Sequence, residues 1–193
     1  MVESEVAVLE ELEELLGRPI PPVTEFDFRS SKTWFGFIAE NTHVTELALC
    51  AQGLSSLPAS LGTLDNLRQL SLTSNQLQAL PEAFGELQSL QRLYLWKNRL
   101  HSRPESVAQL QNLQELYLEE NQFRSLPESV CQLQALRTLY LEGNLIQFLE
   151  SDSLTCLSNS ICPFCGTSSL VSGRDKETGK ERKFCPKCEN NIL

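Results

Sequence analysis

The fold of this chain is decided by residues 67–89, which read LRQLSLTSNQLQALPEAFGELQS. The same 23-residue pattern, L-x-x-L-x-L-x-x-N-x-L-x-x-L-P-x-x-h-x-x-L-x-x with h apolar, fits five successive segments. A fixed period of this length indicates a repeat architecture, in which each unit buries its apolar face only by stacking on its neighbours. The repeats are residues 44–66, 67–89, 90–112, 113–135 and 136–158.

Several positions of the repeat have a physical reason. The fourth and sixth residues alternate toward the core as a short strand, as in Leu93 and Leu95, and the eleventh turns into the same core. The ninth residue is an asparagine, whose buried amide can satisfy backbone groups of neighbouring loops that otherwise lack partners. The first repeat has Gln52 at this position, and the later repeats have Asn75, Asn98, Asn121 and Asn144.

This pattern resembles the leucine-rich repeat family, and among its members the 23-residue class with a Leu-Pro pair. The resemblance implies an α/β solenoid of five repeats over residues 44–159, with a parallel sheet on its concave face. Arg103 replaces the leucine of the Leu-Pro pair in the third repeat. The fifth repeat has Glu150 in place of proline, which predicts the end of the solenoid.

Residues 1–43 are predicted to form an N-terminal cap, because the terminal coil of a solenoid otherwise exposes its core. Apolar residues at helical spacing predict a helix over residues 3–16, which the stop signals Gly17 and Pro19 follow. The aromatic stretches 26–28 and 34–38 predict one or two short strands, and residues 40–43 predict a turn. The expected apolar face of the helix consists of Val6, Leu9, Leu12 and Leu16, and His43 and His101 are expected to be ordinary surface or turn residues.

Residues 160–193 carry two Cys-x-x-Cys pairs separated by 19 residues. Four thiolates at this spacing predict a tetrahedral Zn²⁺ site, which is structural because no coordination position stays open for water. The segment resembles a zinc ribbon, with Cys-Pro-x-Cys turns at the tips of two β-hairpins. Two alternatives stay open, an iron centre that transfers an electron, as in rubredoxins, and a ribbon that binds nucleic acid. The predicted ligands are Cys162, Cys165, Cys185 and Cys188.

Charge and composition narrow the function classes. Sixteen Lys and Arg against 25 Asp and Glu give a net charge of −9, which does not suit the phosphate backbone of nucleic acids. There is no apolar run of transmembrane length and no secretory signal, so we expect a cytoplasmic protein without a membrane partner. No nucleophile–base signature or phosphate loop is present, so we expect that the chain is not an enzyme.

The third, fifth, seventh and eighth residues of each repeat are predicted to face solvent on the concave sheet. In the first two repeats most of these residues are small and neutral, including Cys50, whereas the last three repeats place Tyr, Trp and charged residues there. Tyr and Trp are rigid anchors typical of binding sites, although a column of identical tyrosines can also stabilise a sheet by stacking, and both interpretations stay open. The acids favour a basic partner segment. The predicted partner-binding residues are Arg92, Tyr94, Trp96, Lys97, Glu115, Tyr117, Glu119, Tyr140 and Glu142.

These features predict a non-catalytic protein–protein interaction module that binds a partner on the concave sheet. The zinc ribbon would serve as a structural cap or as a second contact. The resemblance further implies a small GTPase or another signalling protein as the partner. The alternative function is an adaptor subunit of an enzyme complex, such as a ligase or a GTPase signalling assembly, with catalysis elsewhere.

Overall fold

A computed structural model describes residues 1–26, 34–101, 105–124, 130, 132–141 and 143–145, together with the backbone of 171–174 and 181–184. The predictions made for residues 27–28, Arg103, Glu142 and Glu150 lie outside these described residues. So do the predictions for the four cysteines of residues 160–193.

A six-stranded sheet organises the repeats. Strand β1 pairs antiparallel with β2, and β2 to β6 pair in parallel in the order of the sequence. The parallel register advances by 23 residues a strand, so that Leu47, Leu70, Leu93, Leu116 and Leu139 lie side by side. The strands are β1 (Phe35–Glu40), β2 (His43–Leu49), β3 (Gln69–Ser71), β4 (Arg92–Tyr94), β5 (Glu115–Tyr117) and β6 (Thr138–Tyr140).

The core lies between this sheet and three short 3₁₀ helices, Ala59–Thr63, Glu82–Glu86 and Glu105–Gln109. The inward strand leucines of the repeats are at most 2 % exposed, as the alternating pattern predicts. Successive 3₁₀ helices pack closely at Gly62, where a Cβ would lie only 2.2 Å from the carbonyl oxygen of Ala83. The predicted solenoid with its parallel sheet is therefore confirmed.

The asparagines at position nine join successive repeats. The Nδ2 group of Asn98 donates to the carbonyls of Leu72 and Leu95 at 2.9 and 3.0 Å, and its Oδ1 accepts the N–H of Leu77 at 3.1 Å. Leu72 and Leu77 belong to the preceding repeat, so the amide satisfies backbone groups on both sides, as predicted. Equivalent bonds recur at Asn75, Asn121 and Asn144.

Helix α1 runs from Glu3 to Leu16 and ends at Gly17, which adopts φ 66° and donates its N–H to the last turn. Its buried face is rotated from the predicted one, since Val8 is buried and Val6 only half-buried. The buried face also includes the carboxylate of Glu5, which bonds to the start of β2 and which the apolar pattern does not reveal. The other buried residues of this face are Leu9 and Leu12.

The carboxylate of Glu5 fixes α1 to the start of β2. Its Oε2 accepts the N–H of Val44 at 2.9 Å, and its Oε1 lies 3.1 Å from Nδ1 of His43. Further along the cap, Arg18 donates to the side chain of Gln52 and places its Cζ 3.8 Å from the ring centroid of Phe35. Gln52 thus connects the first repeat to the cap, whereas asparagine connects the later repeats to one another.

A two-residue turn joins β1 to β2, as predicted for residues 40–43. Both turn residues have positive φ, 48° at Asn41 and 71° at Thr42, which is the backbone of a type I′ hairpin turn. In the C-terminal segment, β7 (Val171–Arg174) and β8 (Glu181–Phe184) form an antiparallel hairpin. This hairpin lies in the sequence between the two cysteine pairs.

Candidate protein-binding face of the sheet

The sheet face, defined as the side of β2–β6 opposite the leucine core, differs between its two halves. In the first two repeats Ala48, Cys50, Ser71 and Thr73 are all at most 5 % exposed, so the prediction that they face solvent is wrong. Their polar groups are used locally, since Sγ of Cys50 lies 3.0 Å from Oγ of Ser71, which donates to Oγ1 of Thr73 at 3.2 Å. Burial raises the pKa of the Cys50 thiol, so this group stays protonated.

The tyrosines at position five form a stacked column. Ring centroids lie 4.6 Å apart between Tyr94 and Tyr117 and 4.9 Å apart between Tyr117 and Tyr140, with interplanar angles of 18° and 19°. Tyr94 is buried at 9 % exposure, whereas the other two rings are half-buried. The column therefore presents ring edges and hydroxyl groups rather than ring faces to a partner.

Position three forms a polar column at one end of the strands. Nε of Arg92 donates to Oε1 of Glu115 at 3.2 Å, and the hydroxyl of Tyr117 donates to Oε2 of the same carboxylate at 3.0 Å. Burial, together with the charge of Glu115, raises the pKa of Tyr117, so the phenol keeps its proton. Burial also raises the pKa of Glu46, against the lowering effect of its hydrogen bond from Gln69.

Trp96 anchors a second polar group at the opposite, carboxyl ends of β4 and β5. Its Nε1 donates to Oε1 of Glu120 at 3.1 Å, and the ammonium of Lys97 lies 5.6 Å from its ring centroid and 3.9 Å from Oε2 of Glu120. The indole is half-buried, and both charged side chains are about half exposed. Trp96 is thus held in one orientation, with part of the ring left open to a partner.

A backbone feature that the sequence does not reveal runs along the same edge. The eighth residue of every repeat is left-handed, with φ 57° at Ala51, 60° at Ser74, 59° at Lys97, 49° at Glu120 and 73° at Gly143. In the first three repeats its N–H donates to the carbonyl of position seven in the next repeat at 2.8–2.9 Å. Only the last of these residues is glycine, so residue identity gives no signal of this conformation.

The predicted partner-binding residues that the structure describes are brought together on strands β4–β6 and their carboxyl ends. Glu119 is half-buried there. Glu115 and Glu120 contact Arg92, Tyr117, Trp96 and Lys97, so they are less available to a basic partner than the sequence suggests.

Within the described residues no cluster of His, Cys, Asp or Glu could hold a metal ion, but the four predicted zinc ligands lie outside them. No helix in the same part of the chain is both long and apolar enough to cross a membrane.

Solved structures similar to this chain include leucine-rich repeat proteins. A leucine-rich repeat protein from Leptospira interrogans is 41 % identical, with a TM-score of 0.56 over 58 % of this chain and 29 % of its own length. The BIR3–SERK2 complex from Arabidopsis thaliana gives 25 % identity and a TM-score of 0.54 over 75 % of this chain and 80 % of the matched chain.

The ectodomain of the Arabidopsis thaliana receptor kinase GASSHO1/SCHENGEN3 was solved in complex with CASPARIAN STRIP INTEGRITY FACTOR 2. It is 27 % identical, with a TM-score of 0.54 over 77 % of this chain and 18 % of its own length. This chain thus spans less than a third of the Leptospira protein and of this ectodomain. The comparison with curated protein sequences gave no match. The family model described as "Leucine rich repeat" matches residues 42–100, 88–146 and 111–159, and the chain therefore belongs to the leucine-rich repeat family.

Proposed function

We propose that this protein is a non-catalytic module that binds a protein partner through the Trp96 side of its sheet face. Leucine-rich repeats generally mediate protein–protein interaction, and the similar structures include complexes with protein partners. The observation that carries the proposal is the fixed, partly open indole of Trp96 beside a stacked tyrosine column. A rigid aromatic side chain gives up little conformational entropy on binding, which suits a binding anchor.

The test is affinity capture from the native lysate with wild type and with Trp96→Ala. We expect the variant to lose the captured partner, because the indole supplies the anchor while the stacked tyrosines stay in place. Leu15→Ala is the matched control, since Leu15 is an apolar residue of α1 that is 53 % exposed and lies away from the sheet. If Trp96→Ala captures the same proteins as the control, this side of the face is not the binding site.

A small GTPase or another signalling protein is the partner class that we propose to test first. Purified candidates are compared by titration against wild type and Trp96→Ala, and binding to both with equal affinity would exclude this face.

We further propose that the protein acts in the cytoplasm, because a reducing compartment keeps cysteine thiolates available for a metal. The alternative function, an adaptor subunit of an enzyme complex, would use the same face. In that case the protein captured from the lysate would be a subunit of an enzyme.

We also propose that Cys162, Cys165, Cys185 and Cys188 hold one structural Zn²⁺. The support is the spacing of the two pairs, together with a hairpin whose strand β8 ends at Phe184, directly before the second pair. Four thiolates would close the coordination sphere, so the ion would supply folding free energy and no chemistry.

Metal analysis of the purified protein tests the zinc proposal. We expect about one zinc per chain. Cys162→Ser should abolish zinc binding. Cys50→Ser, which changes a buried cysteine beside Ser71 on the sheet, should retain it. Iron in place of zinc, with the colour of a sulfur-bound iron centre, would support the electron-transfer alternative instead.

A further inference from the structure

Charge on the sheet face is sorted by strand. The β4 repeat carries Arg92 at position three and Lys97 at position eight, whereas the β5 repeat carries Glu115 and Glu120 at the same two positions. Neighbouring strands of a sheet lie about 4.8 Å apart, so a positive row runs directly beside a negative row. Each row has a charge at each end of its strand, and the β5 repeat carries a further acid, Glu119, at position seven.

These charges are only partly used within the chain. In the part of the chain that the structure describes, Arg92 donates to Glu115 through Nε alone, which leaves the terminal Nη groups of its guanidinium for another acceptor. Lys97 and Glu120 are 54 % and 49 % exposed and 3.9 Å apart, and a pair this exposed contributes little to stability. Glu115 and Glu120 each have two contacts within the chain, but a carboxylate has about four acceptor sites, so both rows can still contact opposite charges on another molecule.

We propose that the sheet face binds a second copy of this chain, about a two-fold axis parallel to the strands and midway between β4 and β5. Such an axis lays β4 of each copy over β5 of the other and keeps the same strand ends together. Arg92 then faces Glu115 of the second copy, and Lys97 faces Glu120 of the second copy. An unrelated partner would need a negative row opposite β4 and a positive row opposite β5. A second copy related by this axis supplies both rows.

The contact is small, and this sets its strength. A face of five strands spans only about 20 Å, so it buries less than the roughly 800 Å² per partner of a stable interface, and the dimer is weak. Because the net charge is −9, two copies repel each other at long range. Salt of about 0.1 M screens that repulsion beyond roughly 10 Å, while the contact pairs persist until salt reaches about 1 M.

Sedimentation of the 193-residue chain measures this association directly. From about 10 μM to about 1 mM protein in about 0.1 M salt, we expect the weight-average mass to rise toward twice the 21.7 kDa of one chain. In about 1 M salt we expect it to stay at one chain. A mass that is constant at every concentration in the lower salt would overturn the proposal.

Charge reversal separates this symmetry from other modes of association. Lys97→Glu and Glu120→Lys each place like charges opposite each other, so each variant alone is expected to be monomeric. An equimolar mixture restores opposite charges at both contacts, and we expect a heterodimer at the concentration where wild type dimerises. Both substitutions are at exposed positions, so folding is preserved.

Arg92→Glu and Glu115→Arg provide a second, independent pair with the same expected behaviour. Arg68→Glu is the matched control, because it makes the same charge change at an exposed pair with Glu40 before β3. Dimerisation of the single variants, or a mixture that stays monomeric, excludes the proposed axis. Failure here leaves the Trp96 proposal intact, since that is tested with a foreign partner and not with a second copy.

Discussion

Positions eight and nine are neighbours in every repeat, yet they follow opposite rules. Position nine is asparagine in four of the five repeats, and the same side-chain hydrogen bonds recur at each. Position eight is Ala, Ser, Lys, Glu and Gly in turn, but its backbone keeps φ between 49° and 73° throughout. One column keeps a side chain, and the other keeps only a conformation.

The difference shows which structural roles a repeat pattern can reveal. An amide that must bridge three backbone groups can be supplied by few residue types, so its role appears as a repeated letter. A left-handed backbone costs a non-glycine residue about 1–2 kcal/mol, which the hydrogen bonds of neighbouring repeats can offset. The sequence therefore shows the role of position nine and does not show the role of position eight.

The largest effect is expected for Asn98→Ala. The substitution leaves the carbonyls of Leu72 and Leu95 and the N–H of Leu77 without this partner inside the solenoid. The Leu77 N–H is left unsatisfied at a cost of about 1–3 kcal/mol. The two carbonyls keep the Nδ2 groups of Asn75 and Asn121 and lose one bond each, at about 0.5–1.5 kcal/mol, so we expect the free energy of unfolding to fall by about 3 kcal/mol. Denaturant unfolding followed by circular dichroism measures the change.

Asn112→Ala is the matched control for this prediction. The Nδ2 group of Asn112 also donates to a carbonyl of the preceding repeat, that of Gln88 at 2.9 Å, but the residue is exposed. Water can replace that bond, so we expect a loss below about 1 kcal/mol. Equal losses at the two asparagines would show that the repeated letter marks no special role.

The same distinction explains how far the sequence predicts the fold and the site. The strand leucines and asparagines were predictable because each role requires one type of side chain. The burial of Cys50 and Thr73 was not, because small residues fit either an open or a covered face. Glu5 was missed because a buried carboxylate looks like any acid of a charged helix until its partners, the Val44 N–H and His43, are known.

Position five is intermediate between positions eight and nine, because it keeps the same side chain, tyrosine, in only three of the five repeats. Tyr117→Phe keeps the stacked ring and removes the hydrogen bond to Glu115, so we expect a loss of about 1 kcal/mol. Tyr140→Phe keeps the ring as well, and among the described residues its hydroxyl has no hydrogen-bond partner, so we expect the smaller loss of the two. Equal thermal stability of the two variants would show that stacking alone stabilises the column.

The smallest effect, with opposite sign, is expected at position eight. Ser74→Gly relieves a left-handed backbone at φ 60° and keeps the N–H that donates to Trp96. Glycine removes a backbone strain of about 1–2 kcal/mol and adds chain entropy worth roughly 0.5–1 kcal/mol to the unfolded state. We therefore expect the free energy of unfolding to rise by about 0.5 kcal/mol. Ser89→Gly, made where φ is not positive, has only the entropic term and should lose stability. If both substitutions destabilise the protein equally, the left-handed conformation at position eight carries no strain for a residue other than glycine.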